Sequence, residues 1–363
     1  MTVSRWSRAR HALRTKWFHA LRRTFETDDG RALAADSLQG LLTWRPNIGI
    51  ETAGATPYPN LGRAEPGLPT TGPDPIFITA RFRSGSTLLW NIFRHLADCT
   101  AYYEPLNERR WFDPTRRGGH TDKTHRQVSD YWKEYEGLAH LSRWYREDWI
   151  DHHLYMDESF WAPELKRYVA LLIQHTADRP VLQFNRVDFR LPWLRRHFPR
   201  ARIIHLYRHP RDQWCSSLVD ANQVPRNLTM DTFEPYDHYY LRNWARDLKY
   251  HFPFLDERNG QHPYRVFYYL WKLSYACGIR YADYSLAFEH LVEHPRQHIN
   301  DLMQAMNVRD YDLAGLAQCV VEVPIGRWTE YADGDWFRSH ETACEEVLRD
   351  FTLGVGDTAN GAH

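Results

Sequence analysis

Two basic, hydroxyl-bearing segments mark where this chain could hold an anion: RFRSGSTLL at residues 81–89 and YRHPRDQWCSS at residues 207–217. In the first, Arg83 supplies a permanent cation, Gly85 allows close approach of the backbone, and Ser86 and Thr87 add hydroxyl donors. A helix starting there would contribute the N–H groups and the partial positive charge of its first turn, which together attract phosphate. The loop of ATP and GTP enzymes, G-x-x-x-x-G-K-[ST], is absent: no glycine stands at the right upstream distance and no lysine follows. By itself this segment reads equally well as an ordinary capped helix start.

In the second segment Arg208 follows an apolar run, RIIHLY, and so leaves the carboxyl end of a strand, where open α/β sheets bind ligands. Ser216 is two residues from both Trp214 and Leu218, and so lies about 200° around a helix from that apolar stripe. The plainer alternative pairs Arg208 with Asp212 and makes Ser216 a surface hydroxyl.

The elements that must position these residues follow from the apolar spacing. IFITA at 76–80, VLQF at 181–184 and RIIHLY at 202–207 are short apolar runs suited to buried parallel strands. Leu88, Leu89, Ile92, Phe93 and Leu96 recur at helical spacing after the first loop, and Pro210 suits the first turn of a helix carrying Trp214, Leu218 and Ala221. Further helices are expected around Leu191 to His197, over Ile299 to Met306 and over Ala343 to Phe351. Strands alternating with helices predict an α/β fold with a central, mostly parallel sheet flanked by helices. Residues 111–178 interrupt the alternation with charge patterning and many aromatics, and predict a helical insertion over the ligand end of the sheet; about half of its rings should be plain core. A Pro-, Gly- and Thr-rich stretch at 51–75 reads as a linker, giving an N-terminal helical extension with its linker at 1–72 and a main domain at 73–356.

Arg-Ser-Gly-Ser-Thr-Leu after an apolar strand resembles the 5′-phosphosulfate-binding loop of the sulfotransferases that use 3′-phosphoadenosine-5′-phosphosulfate (PAPS). ARIIHLYRHPRDQWCSSL at 201–218 resembles the family's 3′-phosphate segment, an apolar strand ending in Arg with a Ser eight residues later. The two in this order make the stronger signal. FEHLVEHP at 288–295 resembles a late family stretch that precedes an amphipathic helix, and Gly326-Arg327-Trp328 resembles a C-terminal segment that closes over the nucleotide. The resemblance covers most of residues 75–355 and implies a P-loop-like sulfotransferase fold. It also implies PAPS as co-substrate and adenosine 3′,5′-bisphosphate (PAP) as product. Arg83, Ser84, Gly85, Ser86 and Thr87 would line the 5′ end, Arg208 and Ser216 would take the 3′-phosphate, and Arg327 would be a further nucleotide contact. Arg83, Ser86, Thr87 and the helix N-terminus would also stabilise charge during transfer.

Tyr102-Tyr103-Glu104-Pro105 is similar to an aromatic-x-Glu-Pro segment of carbohydrate sulfotransferases in which the glutamate is the general base. That likeness makes Glu104 the candidate base and a sugar or glycolipid hydroxyl the favoured acceptor. Glu108 or a histidine is the alternative base, and a salt bridge to Arg83 or Arg208 the alternative role for Glu104. Pro105 predicts an extended turn at Glu104. The rival functions are a magnesium-dependent phosphotransferase and a nucleotide-binding protein without catalysis.

The remaining composition bounds these readings. Lys plus Arg and Asp plus Glu are both 46, so no global field recruits nucleic acid. The five scattered cysteines lack CxxC spacing and argue against a disulfide framework. No run of about 18 apolar residues spans a bilayer. The basic N-terminus lacks a signal peptide's apolar run, so a cytoplasmic protein is the expectation, with a membrane-surface helix around Trp6 to Phe25 as the alternative to a solvated one. His120 with His125, and the His152-His153 pair, have no carboxylate companion at ligand spacing, so no metal site is expected.

Overall fold

A computed structural model describes residues 72–118, 128–256, 260–321 and 323–360, with side chains to residue 351, and Thr27 apart from these. The expectations for the N-terminal extension and for His120 and His125 lie outside the described residues.

Five strands, β1 (Ile76–Ala80), β2 (Cys99–Tyr103), β3 (Arg179–Phe184), β4 (Arg202–Tyr207) and β5 (Tyr284–Ala287), pair in the order β2-β3-β1-β4-β5. Every pairing is parallel. All five residues of β1 are buried, as a central strand covered on both faces requires. The three strands expected from apolar runs are β1, β3 and β4, the centre of the sheet. The two not anticipated, β2 and β5, are its edges. Their sequences, CTAYY and YSLA, mix polar and apolar residues because an edge strand is less completely buried.

Helix α1 (Ser86–Arg94) follows β1 and buries seven of its nine residues. Its Trp90 donates Nε1–H to the Ala101 carbonyl at 2.8 Å, tying α1 to β2. After α2 (Pro163–His175) and α3 (Leu191–His197), helix α4 (Pro210–Ser217) follows β4. Then come α5 (Leu241–Leu248), α6 (Pro263–Tyr281), α7 (Phe288–Glu293), α8 (Pro295–Ala305), α9 (Leu313–Gln318), α10 (Trp328–Tyr331) and α11 (Gly334–Asn360). Helices α2, α3, α4, α6 and α8 carry Pro in the first turn, where its missing N–H has no intrahelical partner to lose.

One hydrophobic cluster wraps the sheet with α1, α2, α3 and α8. A second, built from Trp214, Phe233, Trp244, Tyr264, Phe267 and Phe337, joins α4, α5, α6 and α11. Much of the high aromatic content is spent there.

The insertion differs from expectation. Its described residues up to 162 form turns with short 3-10 segments at Lys133–Tyr135, Ala139–Arg143 and Glu147–Ile150, and α2 is its one α-helix among the described residues. Left-handed residues at Gly118, Gly137 and His153 interrupt it, so no long helix forms before α2 among the described residues. Of its conspicuous aromatics Trp111, Tyr131, Tyr135 and Trp149 are buried, Trp132 and Trp144 are half-buried, and Trp161 is 65% exposed.

No helix among the described residues is long and apolar enough to cross a membrane. All five cysteines are free thiols.

Candidate active site

The chain turns back from β2 through β3 to one side of β1 and continues through β4 and β5 on the other. Its topological switch point therefore lies between the carboxyl ends of β1 and β4, where open α/β sheets place ligands. A cleft of about 740 Å³ opens there, lined from the residues that follow β1, β2, β3 and β4.

On the β1 side the loop coils tightly, with Arg83 and Gly85 both left-handed at φ 64° and 92°. Ser84 is fully buried and donates its hydroxyl and its N–H to the Arg81 carbonyl, at 2.6 and 3.3 Å. Ser84 thus closes the turn rather than facing the cleft wall, which Arg83, Gly85, Ser86 and Thr87 line. Gly85 caps α1, and Gly85, Ser86 and Thr87 place the start of that helix in the cleft wall. A Cβ on Gly85 would lie 2.2 Å from the Phe288 ring, so only glycine lets this loop pass. Ser86 lines the cleft, and the Thr87 and Tyr103 hydroxyls share a hydrogen bond of 3.0 Å.

On the β4 side Arg208 and Ser216 come to the same place as this loop. Arg83 Nε donates to the carbonyl and hydroxyl oxygens of Ser216, at 3.2 and 3.1 Å, and Arg208 Nη1 donates to the Arg83 carbonyl at 3.2 Å. Phe288 lies under the Arg208 guanidinium at 4.9 Å. The buried Nε–H of Arg208 has no hydrogen-bond partner. Burial pulls the Arg208 pKa below the ordinary arginine value, against the opposing pull of Asp212 and Glu289. A buried cation with an orphaned donor, beside a helix N-terminus and a serine hydroxyl, fits a phosphate.

Asp212 acts on Arg208 only through its charge, not through the direct pairing that the plainer alternative supposed. Its carboxylate accepts the backbone N–H groups of Gly326 and Trp328 at 2.9 and 3.2 Å, and so pins the C-terminal segment to α4. Arg327 reaches the cleft wall within that segment, half in solvent and 3.5 Å from Glu330.

Glu104 follows β2 and is 6% exposed in the same cleft. Its φ is 38°, left-handed rather than the extended turn that Pro105 suggested, and Asn107 N–H closes the turn onto the Glu104 carbonyl at 3.0 Å. One carboxylate oxygen accepts from Asn185 Nδ2; the other accepts from Asn107 Nδ2 at 2.5 Å and from Arg186 Nη1 at 3.5 Å. The alternative of an ion pair with Arg83 or Arg208 is replaced by one with Arg186. Gln183 Nε2 donates to Asn185 Oδ1 at 2.6 Å, and this turns the Asn185 side-chain N–H toward Glu104. Burial pushes the Glu104 carboxyl above its ordinary range, and Arg186 and Asn107 partly counter it.

Asn107, Asn185 and Arg186 are site residues that sequence reasoning missed. Asn185 and Arg186 directly follow VLQF, and the strand-end argument applied to Arg208 could have singled them out.

The model of the sulfotransferase family matches residues 75–312. The chain belongs to the sulfotransferase family. It is a PAPS-dependent transferase, with PAPS as co-substrate. Among solved structures this sulfotransferase is similar to sulfotransferase STF9 from Mycobacterium avium, at 12% identity and a TM-score of 0.42 over 81% of this chain and 78% of that one. It is also similar to sulfotransferase STF1 from Mycobacterium tuberculosis, at 15% identity and a TM-score of 0.39 over 76% and 78% of the two chains. The sulfotransferase domain of a Synechococcus olefin synthase aligns at 16% identity and a TM-score of 0.36, over 80% and 98%. No curated protein matches the chain. Among the described residues of this sulfotransferase no group of three or more His, Cys, Asp or Glu is placed to hold a metal ion.

Proposed function

We propose that this sulfotransferase sulfates a hydroxyl of a carbohydrate or glycolipid, with Glu104 as general base and no metal requirement. The observation that carries the reading is a buried carboxylate in the cleft that also holds the anion-binding loop, kept there by three donors from two strand ends. When bound, PAPS supplies the sulfuryl group, and its departing portion is PAP. Glu104 accepts the proton of the acceptor hydroxyl as the acceptor oxygen bonds to sulfur and the bond from sulfur to the phosphate oxygen breaks. Arg83, Ser86, Thr87 and the α1 N-terminus stabilise negative charge on the transferred group and the departing 5′-phosphate. Arg208 and Ser216 hold the 3′-phosphate and fix the register of transfer, and Arg327 adds a contact from the pinned C-terminal segment.

Support for a sugar-like acceptor comes from the wall beyond Glu104. There Trp111, Tyr131 and Tyr103 present rings, the last two stacked at 4.7 Å, next to the polar side chains of Asn107, Glu108 and Arg109. Flat rings suit the C–H faces of a sugar and the polar groups suit its hydroxyls. Incubation with radiolabelled PAPS and separate carbohydrate, glycolipid, peptide and small-alcohol fractions tests the acceptor class. Label should appear in the carbohydrate or glycolipid fractions; label confined to peptides or small alcohols would overturn this reading.

A further inference from the structure

Arg186 is 2% exposed at the end of β3, and it is one cation facing two carboxylates. Its Nη2 donates to Glu108 at 2.6 Å, its Nη1 lies 3.5 Å from Glu104, and its Nε has no hydrogen-bond partner. The rings of Phe82 and Tyr240 lie beside its guanidinium, at 4.9 and 5.5 Å from the ring centres, and restrict its movement. The two carboxylates differ in setting. Glu104 is buried, whereas the Glu108 side chain is 43% exposed in the cleft wall.

We propose that Arg186 is a positioning residue that holds Glu104 in place as a base, and that Glu108, by drawing on the same guanidinium, sets how tightly Glu104 keeps its proton. The inference rests on the reading of Glu104 as the base and goes beyond it by naming what tunes that base. The other titratable groups facing this cluster do not carry the balance. Tyr103 from β2, Tyr135 and Tyr145 from the insertion, and Tyr240 before α5 are all pushed by burial to higher pKa, and stay neutral at physiological pH. Arg190, which follows Arg186 by one turn, is fully buried and spends its donors on the carbonyls of Trp149, His152, His153 and Arg186. Asn107 and Asn185 are uncharged donors. Three charges remain, and their signs fix the outcome. Arg186 favours ionised Glu104, and ionised Glu108 opposes it.

The test is an NMR titration of the full chain labelled with carboxyl-13C glutamate, with the Glu104 resonance assigned by its loss in Glu104→Gln. Arg186→Met should raise the Glu104 midpoint by about one pH unit or more, the effect of removing an opposite charge at this range. Glu108→Gln should lower it, because the guanidinium then serves Glu104 alone. Arg186→Lys, which keeps the charge but not the planar fork, should fall between wild type and Arg186→Met. Midpoints that stay fixed, or that move the same way in Arg186→Met and Glu108→Gln, overturn the proposal. If Arg186→Met does not fold, the Lys and Glu108→Gln variants decide it by the same signs. Turnover of Glu104→Gln separates this from the parent reading. Near-normal turnover overturns the base, and the positioning role with it. A hundred-fold or greater loss with fixed midpoints overturns only the tuning by Arg186 and Glu108.

Discussion

The two halves of the cleft are built by different means. The half proposed to hold the nucleotide, called the nucleotide half, lies at the ends of β1 and β4 and is made of contiguous pieces; the other, called the base half, holds the proposed base Glu104. Apart from Arg327, each charged or hydroxyl side chain of the nucleotide half sits within nine residues of the end of β1 or β4, and a strand, a turn and a helix start are enough to aim it. The base half is made by strand register. Tyr103 pairs with Gln183, so the residues just beyond, Glu104 and Asn185, arrive together although 81 positions separate them. The first kind of site depends on local backbone conformation, and the second on two strands meeting in one alignment. Damage to the first should appear as lost nucleotide affinity, and damage to the second as lost turnover.

The largest expected effect is on the base half. Glu104→Gln keeps the size of the side chain and removes its basicity, so turnover should fall by about 10²–10⁴-fold while PAP affinity is kept. Steady-state kinetics with calorimetry measures both. In the unaltered enzyme the carboxyl is displaced upward by burial, so activity should fall with decreasing pH at a midpoint above the ordinary glutamate range. An acidic limb below that range would contradict the assignment.

On the nucleotide half, Arg208→Ala should weaken PAP binding by roughly ten- to a hundred-fold, the loss of one charge-assisted contact of about 1.5–3 kcal/mol. Gly85→Ala strikes the same half through the backbone. With φ at 92° and the Phe288 ring in the way, it should cost more than about 1 kcal/mol of stability, seen as a lowered Tm, and weaken PAP binding as well. The smallest expected effect is that of exhaustive EDTA treatment: sulfation should persist, because fixed cations and amides carry the charge. Activity lost to EDTA and restored by magnesium would contradict that part of the proposal.

What could be read from the sequence follows the same division. β1, β3 and β4 are continuous apolar runs because both faces of the central sheet are covered, and the loop after β1 and the Arg208–Ser216 helix announce themselves by residue type and spacing. Strands β2 and β5 were not legible, since edge strands carry less of the apolar signal. Glu104 is singled out only by the resemblance of its segment to a family segment. Its partners Asn107, Asn185 and Arg186 were not found, because no local spacing records that β2 pairs with β3. The insertion is helical only in short pieces before Pro163, and for a related reason. Its aromatics are plentiful, but left-handed residues keep resetting the chain, so composition without sustained periodicity did not specify a helix.

The switch point between β1 and β4 should read a nucleotide through its 3′-phosphate. Titration calorimetry of the full chain with PAP and with AMP measures this directly, since the two ligands differ by that one group. PAP should bind roughly ten- to a hundred-fold more tightly than AMP, and Arg208→Ala should remove most of the difference. Equal affinity for the two nucleotides in the unaltered protein would contradict the assignment of Arg208 and Ser216.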